Sequence, residues 1–206
     1  MDAVNIEEKA YHHGDLKRAL LDAAFKVLDR EGVEALSIRR LARDVGVAHS
    51  APANHFASRK ALLTGLANEC FQSLFDAQSL ALTTQGESEN GLIELRALYH
   101  ATLQFGLRYP HRYRMMFRWE MLEEDDESLK AGMDQLYERL MTCLAKMRRP
   151  EEDRVSDESR AIALWSLLHG YLVMRIEGTL VGSRLDEVSG QPREDAILEL
   201  LLGPMA

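Results

Sequence analysis

The sequence has few of the residues that build metal-bound or cross-linked folds. Its 206 residues include only two cysteines, Cys70 and Cys143. They lie far apart in the chain and match no common metal-ligand spacing. We therefore expect two reduced thiols in a cytoplasmic protein that needs no metal ion and no other cofactor.

The sequence also lacks a long apolar run. No stretch approaches the roughly 18 consecutive apolar residues that a membrane-spanning helix needs. The first 15 residues, MDAVNIEEKAYHHGD, are polar and acidic and do not resemble a secretory signal. Because 46% of the chain is apolar and glycine and proline are sparse, we expect a globular protein with a sizeable core and no membrane partner.

An overall excess of positive charge is missing as well. The formal net charge is −8, with a balance of +1 over residues 1–60 and −9 over residues 61–206. The acidic excess therefore belongs entirely to the larger C-terminal part. An acidic body of this kind leaves room for a local phosphate-binding patch in the N-terminal part.

Strand patterns are nearly absent, and apolar residues recur at helical spacing along most of the chain. We predict an all-α protein with two parts, residues 1–60 and residues 61–206, joined by a long helix that Ser58 caps. TTQGESEN (83–90) is the clearest linker. The predicted helices span about 15–31, 38–45, 51–57, 59–82, 91–107, 110–123, 127–149, 157–180 and 193–202.

Residues 38–57 fit a helix-turn-helix, in which two short helices pack against a third. Gly46 suits the turn, and Phe56 suits an apolar anchor at the far end. Pro52 would break a helix interior, but it is tolerated in a first turn, where the amides lack partners anyway. We therefore expect the second helix to start at Ala51 or Pro52, with Ser50 as its cap.

Several sequence motifs resemble one known family. LLDAAFKVLDREGVEALSIRRLARDVGVAHSAPANHFASRKALL, within about residues 15–66, is similar to the DNA-binding domain of the tetracycline-repressor (TetR) family. YHHGDLKRALLDAA, YPHRYRMMF and WSLLHGYLVMRIEG resemble a subgroup with a Trp–His–Gly element in its ligand domain. The resemblance implies a homodimeric transcriptional regulator, usually a repressor, that a small molecule releases from DNA.

The candidate DNA contacts follow partly from the residues and partly from this resemblance. Asn54 is the preferred base reader, because asparagine can pair bidentately with adenine. The resemblance implies phosphate or backbone contacts for Arg59 and Ser37. It also shows Ala53 where the family often has an aromatic, and His49 where it often has a basic residue. Arg39 and His55 have alternative readings, as solvated surface and as a structural histidine respectively. The full candidate set is Ser37, Arg39, His49, Ser50, Asn54, His55, Arg59 and Lys60.

A ligand cavity is expected in the C-terminal part. Trp165 and His169 share one helix face, with apolar neighbours on either side. They either form ordinary core with one hydrogen-bonded histidine, or they help to line a cavity with a single polar handle. The candidate lining residues are Phe105, Met116, Trp119, Tyr137, Trp165 and His169. Such a cavity suits a small apolar or aromatic effector.

The apolar faces of the segments 157–180 and 193–202 suggest a dimer, since pairing them with their symmetry mates forms a four-helix bundle. A palindromic operator in double-stranded DNA is then expected, with half-sites about 34–36 Å apart. A second hypothesis is an all-α small-molecule-binding or interaction protein without operator binding. We do not expect an enzyme, because no nucleophile–base pair, phosphate loop or metal cluster is recognisable.

Overall fold

The computed structural model describes residues 16–86, 88, 90–148 and 154–180, together with positions 194, 196, 197, 199 and 200. Within these ranges the chain is helical and contains no strand, which confirms the predicted fold class. The described helices are α1 (Leu16–Glu31), α2 (Ile38–Val45), α3 (Arg59–Gln85), α4 (Gly91–Arg108), α5 (Pro110–Met116), α6 (Glu127–Met147) and α7 (Arg154–Ile176). Three short 3-10 turns lie at Val33–Ala35, Ala51–Asn54 and Trp119–Met121.

Local capping fixes where several helices begin. The Ser58 hydroxyl accepts a hydrogen bond from the Ala61 amide at 2.9 Å and starts α3. Asn90 and Asp126 begin α4 and α6 in the same way, through their side-chain oxygens. Each cap pairs one amide that the helix itself leaves without a partner.

The long helix α3 runs through both parts of the molecule. It packs on α1 in the N-terminal part and on α4, α5 and α6 in the C-terminal part. One continuous apolar cluster extends from Leu20 of α1, through Leu66 and Phe71 of α3, to Leu172 of α7. We call the N-terminal bundle, which contains α1, α2 and the turn Ala51–Asn54, the head. The head and the C-terminal bundle therefore share a hydrophobic core in addition to the continuous helix α3.

Several predicted boundaries were wrong. Helix α3 ends at Gln85 rather than near residue 82, and α7 spans Arg154–Ile176 rather than about 157–180. The predicted helix 110–123 is instead α5 followed by the 3-10 turn Trp119–Met121. The Thr64 hydroxyl accepts a hydrogen bond from the Glu123 amide at 2.8 Å and so holds the extended chain that follows against α3. The start of the first helix at Asp15, and most of the segment 193–202, lie outside the described residues.

Candidate nucleic-acid interface and apolar cavity

The turn after α2 is closed by glycine. Gly46 has φ +78° and ψ +30°, a left-handed conformation that costs a residue with a side chain about 1–2 kcal/mol. Its amide donates to Arg43 O, and the Val47 amide donates to Ala42 O at 2.9 Å. This pair of hydrogen bonds is a Schellman motif, which ends α2 and turns the chain sharply.

The segment expected to form a second helix is a four-residue 3-10 turn, Ala51–Asn54. It begins where the sequence predicted, but Ser50 makes no capping hydrogen bond, so that expectation was wrong. Both the His55 and Phe56 amides donate to Pro52 O, at 2.9 and 2.8 Å. Only a few residues then remain before Ser58 starts α3, so a longer helix has no room.

Two buried anchors hold this turn against the head. Pro52 is buried, and Phe56 is only 4% exposed and packs against Gly65 of α3. The outer side of the turn carries His49, Ser50 and Asn54, all exposed. Because Pro52 and Phe56 are buried, they fix the position of the turn that exposes these three polar side chains.

The other candidate DNA-contacting residues differ in how exposed they are. Arg39 and Lys60 are exposed, and His55 is half-buried. Ser37 is exposed, and its hydroxyl accepts from the Arg40 amide at 3.3 Å as the cap of α2. These positions surround the turn on the α2 side and at the start of α3.

Arg59 has a structural role in this conformation. Its guanidinium donates to Leu36 O at 3.1 Å and to Val33 O at 2.7 Å, and it lies 3.6 Å from Glu34. Arg59 therefore fastens the loop between α1 and α2 to the start of α3. Any phosphate contact by this side chain has to share its hydrogen-bond donors with these two carbonyls.

A cavity of about 200 Å³ lies within the C-terminal bundle, between α3, α4, α6 and α7. Its wall is almost entirely apolar. The residues that line it are Phe71, Gln78, Leu95, Leu98, Tyr99, Thr102, Phe117, Met133, Leu136, Tyr137, Leu140, Ala161, Ile162, Leu164, Trp165 and Leu168. Tyr137 and Ile162 are exposed, so the cavity reaches the surface beside them.

Two of the six predicted lining residues, Tyr137 and Trp165, lie in this wall. His169 lies directly behind it, stacked on Trp165 with ring centroids 5.8 Å apart. Phe105 lines a separate groove outside α4, Met116 is fully buried in core, and Trp119 packs on the core away from the cavity. The type of side chain alone did not distinguish residues that line the cavity from residues buried in the core. The spacing of Leu95, Leu98, Tyr99 and Thr102 on α4 was the missed signal.

Phe117 joins the cavity wall to α5. Its ring packs edge-on against Phe71, Trp165 and His169, with centroid distances of 5.8, 5.2 and 5.0 Å. Behind it, the Tyr113 hydroxyl lies 3.0 Å from Nδ1 of His169. Burial lowers the pKa of His169, which favours its neutral form. A movement of the cavity wall at Phe117 or Trp165 would therefore displace side chains that contact α5.

Helix α5 also contacts the head, through Arg112. Arg112 forms a bidentate ion pair with Asp29 of α1, with N–O distances of 2.7 and 2.5 Å. Its guanidinium lies between the rings of Phe25 and Tyr109, at 4.3 and 4.4 Å from their centroids. This contact, together with a 3.1 Å bond from Arg118 to Glu34, links the cavity side of the molecule to the head.

Among the described residues, no helix combines the length and apolarity that crossing a membrane requires. Nor do three or more His, Cys, Asp or Glu side chains come together there in a group that could hold a metal ion.

Two family models match the chain. One, described as bacterial regulatory proteins of the tetR family, matches residues 20–66. The other, described as the tetracyclin repressor-like C-terminal domain, matches residues 95–194. The first range contains the helix-turn-helix and the second contains most of the cavity wall.

Known proteins match over most of their length. The nucleoid occlusion factor SlmA of Sodalis glossinidius is 29% identical over 175 residues, covering 84% of this chain and 85% of SlmA. The HTH-type transcriptional regulator YobS of Bacillus subtilis is 26% identical over 164 residues, covering 78% of this chain and 79% of YobS. A solved structure of a Rhodococcus protein is 28% identical with a TM-score of 0.75, covering 95% of this chain and 100% of that one.

Proposed function

Because the chain belongs to the TetR family of transcriptional regulators, with a DNA-binding helix-turn-helix and a ligand-binding C-terminal domain, we propose that it is a repressor. It binds a palindromic operator as a homodimer. It leaves the operator when a small apolar or aromatic molecule fills the cavity. Proteins of this family are not enzymes.

The exposed turn at residues 49–54 carries the proposal for operator reading. Asn54 stands at the end of the turn, where its amide can pair with an adenine edge in the major groove. His49 and Ser50 lie beside it, and Arg39 and Lys60 supply flanking positive charge for phosphates. Ser37, His55 and Arg59 complete the proposed interface.

The dimer is proposed from the outer face of α7. Leu167 and Met174 are 50% and 43% exposed there, and a Cβ placed on Gly170 between them would meet nothing within 4 Å. Large apolar side chains on an open helix face favour burial against a second copy. Leu167→Glu should give a monomer in sedimentation analysis. Leu80→Glu, a change at another exposed leucine, on α3, should leave the dimer intact.

The cavity and the head are proposed to be coupled along two routes. Phe71 places the long helix α3 in the cavity wall, and Phe117 connects the wall to α5, which grips α1. A ligand that favours one position of these helices shifts the population between DNA-bound and free conformations. The required difference in ligand affinity is only a few kcal/mol.

We also propose a subgroup within the family and a division of the chain into two domains. The contact of Trp165 with His169 supports the subgroup with a Trp–His–Gly element, in which His169 positions the tryptophan of the wall. The proposed domains are residues 1–60 for DNA binding and residues 61–206 for ligand binding and dimerisation. Helix α3, which begins at Arg59, runs from the first into the second.

Selection of bound fragments from random and genomic DNA tests the proposal. At about physiological salt, non-specific phosphate binding is weak, so enrichment reports sequence recognition. The expected product is a palindrome with half-sites about 10 base pairs apart, and Asn54→Ala should relax preference at one position in each half. No enriched sequence from a folded dimer would favour the alternative, a small-molecule-binding protein without an operator.

A further inference from the structure

Within the described part of the chain, Tyr99 of the cavity wall has a buried hydroxyl without a hydrogen-bond partner. Tyr99 lies on α4, lines the cavity and is 4% exposed. Its hydroxyl oxygen is buried, and no described residue forms a hydrogen bond with it. A buried hydroxyl without a partner is unfavourable, so a ligand that supplies one gains affinity.

The neighbouring polar groups offer a donor rather than an acceptor. Gln78 donates from Nε2 to the Thr102 hydroxyl at 3.1 Å, and that hydroxyl donates onward to Leu98 O at 2.9 Å. Arg139 donates to Gln78 Oε1 at 3.4 Å. A primary amide has two N–H donors, and one of those of Gln78 is used in this chain. The side-chain oxygens of Gln78 and Thr102 are therefore already engaged as acceptors.

Charge is excluded from the described wall, whose other members are aliphatic, aromatic or sulfur-containing side chains. The cationic side chain of Arg139 lies behind Gln78. It packs at 3.7 Å over the Phe75 ring and donates to Phe75 O and the Ser79 hydroxyl. A charged ligand would lose its hydration in the cavity without gaining an oppositely charged partner.

The volume sets the size of the occupant. Cavities of about 150 Å³ lined by aliphatic and aromatic side chains can hold benzene. This one, at about 200 Å³, has room for a single ring with a short substituent. Aromatic rings on several sides, including Phe71, Phe117 and Trp165, suit a flat molecule.

From this arrangement we infer that the effector is an uncharged, single-ring-sized apolar molecule that carries a carbonyl oxygen, which accepts a hydrogen bond from the Tyr99 hydroxyl. This inference rests on the proposed function, because it specifies the molecule that occupies the same cavity. The proposed function requires only an apolar or aromatic effector, whereas this inference adds a hydrogen bond from the Tyr99 hydroxyl.

Three probes of similar shape separate the contributions. Acetophenone carries the carbonyl, α-methylstyrene replaces that oxygen with a CH₂ group, and benzoate adds a negative charge. Titration calorimetry on the full chain should show acetophenone binding about two- to tenfold more tightly than α-methylstyrene. Benzoate should bind more weakly than both.

Two tyrosine variants supply the matched comparison. Tyr99→Phe removes the unpartnered hydroxyl, and it should abolish the preference for acetophenone while leaving α-methylstyrene binding unchanged. Tyr137→Phe removes a hydroxyl from a wall residue that is 38% exposed, and it should keep the preference. Neither variant is expected to unfold the chain, since Tyr99 loses no hydrogen bond.

The inference is overturned if the two neutral probes bind equally, if neither binds, if benzoate binds best, or if Tyr99→Phe keeps the preference. These results concern the chemistry of the cavity alone. Failure of the proposed function would look different, because the probes would then bind while no DNA sequence is enriched.

Discussion

Replacing Arg112 by alanine should both destabilise the chain and weaken the link between cavity and head. The substitution removes the bidentate bond to Asp29 of α1 and the packing of the guanidinium between Phe25 and Tyr109. The Arg112 side chain is 19% exposed and that of Asp29 is 37% exposed. Water therefore screens this pair less than it screens a surface ion pair.

The expected loss of unfolding free energy follows from these contacts. A surface ion pair contributes about 0.2–1 kcal/mol, and each of the two cation–π contacts adds about 0.5–1 kcal/mol. Loss of buried stem packing adds to this. We expect Arg112→Ala to cost about 2–3 kcal/mol. Arg112→Lys should recover only part of this, because an ammonium cannot form the fork or stack as a guanidinium does.

Urea denaturation at a fixed protein concentration measures this cost. A double-mutant cycle with Asp29→Ala should give a coupling energy of about 1 kcal/mol for the pair. Lys130→Ala is the control, because the Lys130 ammonium pairs with Asp125 at 3.4 Å in an exposed ion pair. This substitution should change stability by less than about 0.5 kcal/mol. A change of that small size in Arg112→Ala would refute the reasoning.

Four further substitutions test local contacts of single residues. Ser58→Ala should cost about 1 kcal/mol of unfolding free energy, because it removes the cap on the Ala61 amide. Ser50→Ala should be near neutral, since the Ser50 side chain makes no capping hydrogen bond. Equal effects of the two substitutions in urea denaturation would contradict this. Gly46→Ala should cost about 1 kcal/mol from the positive φ alone, as its Cβ meets no atom within 4 Å, and an unchanged midpoint would show that the turn relaxes freely. The folded pKa of His169 lies below its ordinary 6.5, so its contribution is present above about pH 6.5 and is lost as pH falls. His169→Gln should therefore lose less stability than the parent chain between pH 7.5 and 5.5.

The sequence predicted those features that depend on local pattern. Helical spacing identified the all-α architecture. Ser58 was recognised as a cap because a serine before an apolar helical run is a specific signal. Pro52 likewise marked the start of the turn after Gly46. These features are decided by neighbours only a few residues away.

Features that depend on tertiary contacts were predicted less well. The extended chain that follows the Trp119–Met121 turn is held by the hydrogen bond between Thr64 and Glu123, which lie 59 residues apart. The cavity wall requires the faces of four helices to meet, so Met116 entered the core while Leu98 and Thr102 of α4 reached the cavity. The pairing of Arg112 with Asp29 has no signal in the local sequence.

The most direct test of the account is to measure operator affinity while the cavity is filled. The selected palindrome is titrated with the protein by fluorescence anisotropy, with and without acetophenone at a concentration that calorimetry shows to be saturating. We expect acetophenone to weaken operator binding by about 5- to 150-fold, and the operator to weaken acetophenone binding by the same factor. An operator affinity that stays unchanged with the cavity saturated would contradict the claim that this cavity controls DNA binding.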